Sequence, residues 1–266
     1  MTAAAPERPR QRVGHIGDTD NRFCGGAVFA QLAAEVEHPT DLLLRGLGVP
    51  TLSADDREVV RCMTLAATSA DARVWPLKLT RLLAAYGNPY AGHYGAQLGA
   101  FGERMGPGAT TRAATALAAL ATVVGDALED PDMVTRAVTT HLAAHQRIVG
   151  FGVPFRPHDE RLRGLRQLLA GHPATRRPRW RLHDAVIVVM RREHQLEPNI
   201  LWPLAALMLD LGVAPARTSL LASLLTTHVF AAHAVEAADD DGVLLRELPA
   251  AAVTYRGRPP RPLPAR

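Results

Sequence analysis

The sequence predicts an all-α protein, on three observations. Alanine and leucine dominate a composition that is 47% hydrophobic but only 5% aromatic, which suits closely packed helices. Valine and isoleucine occur mostly inside long apolar runs and do not alternate with polar residues as they would in half-buried strands. Glycine, proline and Asp/Asn breaks divide these runs into pieces of helical length. We therefore expect no strand that would nucleate a sheet.

The first helices are predicted from local capping signals. Residues 27–37 form a short amphipathic pattern. Ser53, followed by two aspartates, is a good N-cap for a helix that runs to about residue 67. Pro76 suits the first turn of a helix over 77–85, where its missing N–H costs nothing.

A stripe of glycines marks the next predicted helix, over residues 90–104. Gly92, Gly95, Gly99 and Gly102 are three or four residues apart, so they share one helical face. Because glycine within a helix costs about 0.5–1 kcal/mol against alanine, the stripe makes sense only where another backbone comes close. A tight helix–helix or subunit contact is expected there in preference to a ligand site.

The remaining helices are separated by clear breaks, and the C-terminal stretch over 244–266 is expected to be extended and proline-rich. A glycine-punctuated loop over 148–154 interrupts the series. The predicted helices cover residues 110–128, 131–147, 159–170, 181–194, 202–211 and 217–237.

Composition argues against several classes of protein. Cys24 and Cys62 have no partner at metal-ligand spacing, so we expect two buried thiols in a reducing cytoplasm and no metal site. The net charge of +4 comes from scattered arginines without a nucleic-acid-binding motif, so no nucleic acid is expected. Residues 1–13 are expected to form a flexible basic tail that is neither a signal peptide nor an anchor. No uninterrupted apolar segment reaches the roughly 18 residues of a membrane span, so no membrane is expected.

Four segments, in order and at suitable intervals, resemble the citrate synthase and citryl-CoA lyase superfamily. The resemblance spans most of residues 14–258. The segments are Gly-Ala-Phe-Gly-Glu-Arg-Met-Gly-Pro-Gly-Ala at 99–109, Ile-Val-Gly-Phe-Gly-Val-Pro at 148–154 with Asp-Glu-Arg at 159–161, Pro-Asn-Ile-Leu-Trp at 198–202, and the helix over 227–236 with Leu-Arg at 245–246 and Tyr-Arg-Gly at 255–257.

The resemblance implies a large helical domain with a smaller helical domain inserted in it. Residues 14–108 and 212–266 would form the large domain, and residues 109–211 the small one. It also implies a homodimer, whose two-fold contact the glycine stripe would suit. Coenzyme A thioester is the implied co-substrate, with no tightly bound cofactor.

The positions that match the family's catalytic residues are all replaced. By this resemblance, Leu201 stands at the position of the carboxylate that acts as base in the synthases. Val153 stands at the position of the loop histidine, and Gly106 at that of the first-motif histidine. The arginine that grips a substrate carboxylate falls on Thr226. Losing the acid, the base and the carboxylate grip removes the ordinary reaction, so condensation with oxaloacetate is not expected.

Other residues are candidates for a rebuilt site. Lys78 matches the position of a lyase histidine, and a lysine in an apolar pocket can act as a base or form a Schiff base. A surface lysine covering its helix is the alternative for Lys78. Asp71 and His228 are further catalytic candidates.

Four arginines are candidates for binding substrate or coenzyme A, because guanidinium groups suit phosphate and carboxylate. They are Arg104, Arg156, Arg161 and Arg246. Asp159 and Arg161 equally fit a helix N-cap and a surface charge.

Two functions remain open at this point. A rebuilt pocket would act on an acyl-CoA or other acyl thioester in carbon–carbon bond formation or cleavage, and would show a polar cleft with Lys78 inside. A catalytically inactive homologue would serve as a binding or partner subunit, with Leu201 and Val153 filling the cleft. A purely interacting role through the basic C-terminal tail is a third, weaker option.

Overall fold

The computed structural model is all-α, which confirms the predicted fold class. It describes residues 11–49, 51–68, 71–100, 106–153, 157–239, 249–252, 254, 256 and 257. The α-helices of the described residues are α1 (Ala33–Glu35), α2 (Pro39–Gly46), α3 (Ala54–Ala67), α4 (Trp75–Ala84), α5 (Ala96–Ala100), α6 (Pro107–Val124), α7 (Pro131–His145), α8 (Glu160–Leu168), α9 (Pro178–His194), α10 (Leu201–Asp210) and α11 (Thr218–Asp239). Residues 1–10 of the expected tail and most of the expected extended C-terminus lie outside the described residues.

A small antiparallel sheet, which was not predicted, precedes the first predicted helix. Its strands are β1 (Gly14–Ile16), β2 (Asn21–Phe23) and β3 (Gly26–Ala27), and a π-helical turn (Val28–Leu32) leads into α1. Cys24 and Gly25, with φ of 45° and 87°, join β2 to β3, and positive φ at both loop residues matches the right-handed twist of a hairpin. The Asp20 carboxylate then accepts hydrogen bonds from the first N–H groups of the π-helical turn. The expectation of no strand was therefore wrong, whereas the helix predicted over 27–37 is found over 28–35, as the π-helical turn followed by α1.

Helix α2 was not predicted, although its start carries a capping signal. The His38 side chain accepts from Thr40 N, Pro39 occupies the first turn, and Asp41 accepts from the His38 N–H at 3.2 Å. The predicted N-cap of α3 is confirmed, because Ser53 Oγ accepts from Asp56 N at 3.1 Å.

The glycine stripe packs against α4 of the same chain. A Cβ on Gly92 would lie 2.7 Å from Ala84 Cβ and 2.8 Å from the Thr80 carbonyl oxygen, so only glycine fits. The predicted tight helix contact is confirmed. The described part of the stripe therefore packs inside the chain, and Gly102 lies outside the described residues.

The hydrophobic core is continuous across the predicted domain boundaries. One cluster packs Met63 of α3 and Leu221 of α11 together with Leu165 of α8, Trp180 of α9 and Leu207 of α10. A second cluster is built from α6, α7, α9 and α10. The division into 14–108 with 212–266 and 109–211 stays a prediction.

Helix α11 is the longest helix of the described residues and crosses the core. Among those residues, the helical stretch Pro215–Asp239 alone is long and apolar enough to cross a membrane by length and composition. However, Leu221, Leu225, Val229 and Ala234 are buried against other helices, as in the core helix of a globular protein.

Buried His183 predicts an acid-sensitive core. Its side chain is fully buried beside the Trp180 ring, and burial lowers its pKa although Asp184 partly opposes this. The unfolded chain therefore binds a proton that the folded chain does not, and stability should fall as the pH drops below about 6.5. Urea unfolding at pH 7, 6 and 5 should show this slope, and His183→Leu should flatten it. His194→Leu, on an exposed histidine, should leave the slope unchanged. Equal slopes in the wild type and His183→Leu would contradict this assignment.

Candidate functional site

A cavity of about 780 Å³ lies where α6, α10 and α11 meet the glycine-punctuated loop. Gly106, Val153 and Leu201, the three positions that the sequence resemblance aligns with proton-handling residues, all line it. The three segments that carry these residues therefore meet at one cavity.

The first turn of α6 forms one part of the cavity wall. Gly106 caps this helix with φ of +74°, Pro107 occupies its first turn, and no side chain caps its N–H groups. The buried Thr110 lines the cavity as well, and its hydroxyl has no hydrogen-bond partner. A helix N-terminus of this kind favours a partial or full negative charge.

The loop around Gly150 is pinned to the segment before α10. Asn199 N donates to the Gly150 carbonyl at 2.8 Å, and Asn199 Nδ2 donates to the Gly152 carbonyl at 3.0 Å. Gly152 N in turn donates to the Glu197 carbonyl at 2.7 Å. The loop therefore carries Val153 on the same rigid wall as Leu201, whose N–H is held by Asn199 Oδ1.

Asp159 ties the start of α8 to the start of α10. Its carboxylate accepts from Arg161 N, Nε and Nη2 and from Ile200 N at 2.8 Å. Burial by itself would raise the pKa of Asp159, but the hydrogen bonds from Arg161 and Ile200 outweigh it and hold the pKa below its usual value. The helix N-cap interpretation of Asp159 is confirmed. Arg161 pairs with this carboxylate and also lines the cavity.

None of the three catalytic candidates lines the cavity. Lys78 is exposed on α4, so the expected lysine inside an apolar pocket is not found, and the alternative of a surface lysine describes it better. Asp71 is exposed and pairs with Arg73. The exposed His228 lies with Nε2 2.8 Å from Thr68 Oγ1. Helices α4 and α11 turn their apolar sides inward, so Lys78 and His228 face away from the cavity, and Asp71 lies in the segment before α4.

The other candidate arginines fall where the chain is not described. Arg104, Arg156 and Arg246 all lie outside the described residues. Their role in binding stays a prediction.

Sequence reasoning missed three cavity residues, namely Arg112, Arg147 and His194. Arg147 directly precedes the loop motif and Arg112 follows Gly106 by less than two turns, so proximity to a motif was the signal available. His194 ends α9 and has no such signal. In the described lining, Asp159 is the sole carboxylate and His194 is the sole imidazole.

No group of three or more His, Cys, Asp or Glu side chains within the described ranges could hold a metal ion.

The whole chain is similar to solved structures of one enzyme superfamily. Citryl-CoA lyase from Hydrogenobacter thermophilus superimposes with a TM-score of 0.80 at 16% identity, over 97% of this chain and 98% of the lyase chain. ATP citrate lyase from Methanothrix soehngenii, solved with citrate and coenzyme A, gives 0.73 at 15% identity over 96% of this chain and 42% of that one.

Citrate synthase from the thermophilic archaeon Thermoplasma acidophilum, solved with carboxymethyl coenzyme A and oxaloacetate, gives 0.58 at 15% identity over 86% of this chain and 60% of that one. No family model and no curated protein matches the sequence. These three structures belong to the citrate synthase-like superfamily, and the chain has its all-α fold.

Proposed function

We propose that this chain binds an acyl-CoA or other acyl thioester in the cavity and acts on it in carbon–carbon bond formation or cleavage, in a site rebuilt away from ordinary citrate synthesis. The observation that carries the proposal is the open cavity of about 780 Å³ lined by Gly106, Val153 and Leu201, the positions that the resemblance aligns with catalytic residues. A volume of this size is typical of a small-molecule site. The solved structures with the same fold are named for citryl-CoA or hold coenzyme A or its analogue.

The groups in the cavity limit the chemistry. Removing a proton next to a thioester needs a base, and the described lining offers His194 for this, because Asp159 is engaged by Arg161 and Ile200. The uncapped first turn of α6 would stabilise negative charge on a thioester oxygen. We propose that His194 carries the proton and that the first turn of α6 binds the thioester oxygen.

An inactive binding or partner subunit is the second candidate. The lack of a disengaged carboxylate in the described lining favours it. Against it, Leu201 and Val153 line the cavity without filling it. Mass spectrometry of mixtures of the protein with acyl thioesters and 2-oxo acids separates the two: a new carbon–carbon bond or its cleavage supports the enzyme, while binding without turnover supports the subunit.

Arg147 gives a direct test of binding. It is exposed at the cavity edge, where its charge would attract the phosphates of coenzyme A. Arg147→Glu should weaken binding of an acyl-CoA about tenfold in low salt, measured by calorimetry, since one charge reversal near phosphate is worth about 1–2 kcal/mol. Arg163→Glu is the matched control, because Arg163 is exposed on α8 but does not line the cavity. Equal weakening by both variants would point to a general charge effect and count against the site.

A homodimer and a cytoplasmic location remain part of the proposal. The exposed aromatic side chains of Trp75, Tyr86, Tyr90 and Tyr94 support a subunit contact near α4, and sedimentation velocity would measure it.

A further inference from the structure

One wall of the cavity is apolar in its described part except for a single threonine. This wall, called the α4–α11 wall, consists of Ala67, Val74, Pro76, Leu77, Ala222, Thr226, Val229 and Phe230. Its four α11 residues follow helical spacing and therefore share one face. Val74, Leu77, Val229 and Phe230 also pack together in one hydrophobic cluster, so the wall is a continuous surface.

The α4–α11 wall contains no charged side chain. Its single polar side chain is Thr226, and that hydroxyl already donates to main-chain carbonyls of α11, with Ala222 O at 3.2 Å and Ser223 O at 3.0 Å. Lys78 and His228 belong to the same two helices but do not line the cavity. A ligand group resting on this wall therefore meets hydrocarbon.

The exposed cationic and titratable groups lie on a different side. Arg147 follows the end of α7 and His194 ends α9, and these two helices pack against each other. Helix α6 contacts α11 as well as α7 and α9, so it stands between the two sides. The arginines of the described lining therefore all lie off the α4–α11 wall: Arg112 is on α6, Arg161 is on α8 and Arg147 follows α7.

Leu201 and Leu204 of α10 extend the hydrocarbon surface into the cavity floor. They are three residues apart, so both face the same way. Arg161, which Asp159 links to the start of α10, is already paired with that carboxylate, and the α4–α11 wall has no charged side chain. A ligand carboxylate buried there would be unpaired, which is strongly unfavourable.

We infer that the acyl group of the ligand is an aliphatic chain without a carboxylate, seated on the α4–α11 wall, while its anionic carrier lies towards Arg147. This inference rests on the proposed function and narrows its substrate class. Each methylene placed on such a wall should tighten binding about three- to fourfold.

Calorimetry with a series of coenzyme A thioesters tests the inference. Acetyl-, butyryl-, hexanoyl- and octanoyl-CoA should bind with rising affinity, and glutaryl-CoA, which ends in a carboxylate, should bind at least tenfold more weakly than hexanoyl-CoA. Binding that is independent of chain length, or a preference for glutaryl-CoA, would overturn the inference and leave the proposed function standing. If neither the thioesters nor free coenzyme A bind, both the inference and the proposed function are contradicted.

A charge placed on the wall provides the matched variant. Thr226→Arg should reduce the preference for octanoyl- over glutaryl-CoA by about tenfold. A guanidinium would pair with the glutaryl carboxylate, whereas burying it against the octanoyl chain would cost its hydration. Leu224→Arg, on the exposed side of α11, should keep the wild-type preference. Affinity for free coenzyme A reports whether each variant is folded. A folded Thr226→Arg protein with unchanged preference would show that the acyl group lies elsewhere.

Discussion

Replacing Asp159 by alanine is expected to lower the free energy of unfolding by about 3 kcal/mol, because it leaves the Ile200 N–H and the Arg161 guanidinium without their buried acceptor. For a protein of this size that corresponds to a fall in melting temperature of roughly 6–12 °C. Since the folded pKa of Asp159 is lowered, the contribution is present above about pH 4 and lost as the pH falls further. Calorimetric melting at pH 7 measures the effect.

Glu193→Ala is the control for Asp159→Ala. Glu193 also pairs with a neighbouring arginine, Arg192, but both side chains are about half exposed, so its loss should cost less than about 1 kcal/mol. Similar melting temperatures for the two variants would mean that the buried carboxylate does not hold α8 and α10 together. A weakened Asp159→Ala protein should also lose thioester binding, because Arg161 and Ile200 line the cavity.

Gly150→Ala is expected to destabilise the protein by about 3 kcal/mol. Gly150 has φ of +107°, and an added Cβ would lie 3.0 Å from Trp202 Cβ and 3.2 Å from Trp202 Cα. Backbone strain and overpacking against the buried Trp202 therefore add together. Chemical denaturation gives the free energy directly.

Gly152→Ala separates these two causes. Gly152 also has positive φ, of +91°, but nothing lies within 4 Å of an added Cβ. It should show the strain alone, about 1–2 kcal/mol. If the two variants lose equal stability, the close approach of Trp202 to the loop is not what requires glycine at position 150.

The fold was predictable because its signals are local. The structure has Ser53 as the N-cap of α3 and Pro76 in the first turn of α4. It also has the glycine stripe in close contact with α4. The small N-terminal sheet was missed because its strands are two or three residues long, too short for an alternating pattern. The turn gave little further signal, because Gly25 favours a positive φ but Cys24, which also has one, does not.

The position of the cavity was predictable from the sequence, but the charged residues that line it were not. Gly106, Val153 and Leu201 meet there because each belongs to a motif with a fixed backbone shape. Lys78 was placed inside by alignment alone, and a single position on a helix decides whether a side chain faces the core or the solvent. Arg147 and His194 reach the cavity from segments far apart in sequence, and only the tertiary packing of α7 and α9 brings them near it.

The pinning of the loop by Asn199 has a consequence for how this pocket can change during evolution. Three hydrogen bonds join residues 150–152 to residues 197–199, so Val153 and Leu201 belong to two backbone segments that are held together. A bulkier or smaller side chain at either position would shift both joined backbone segments and so change how the other side chain packs in the cavity. Residues held by one hydrogen-bond network rarely contribute independently, so Val153 and Leu201 are expected to shape the pocket as a coupled pair.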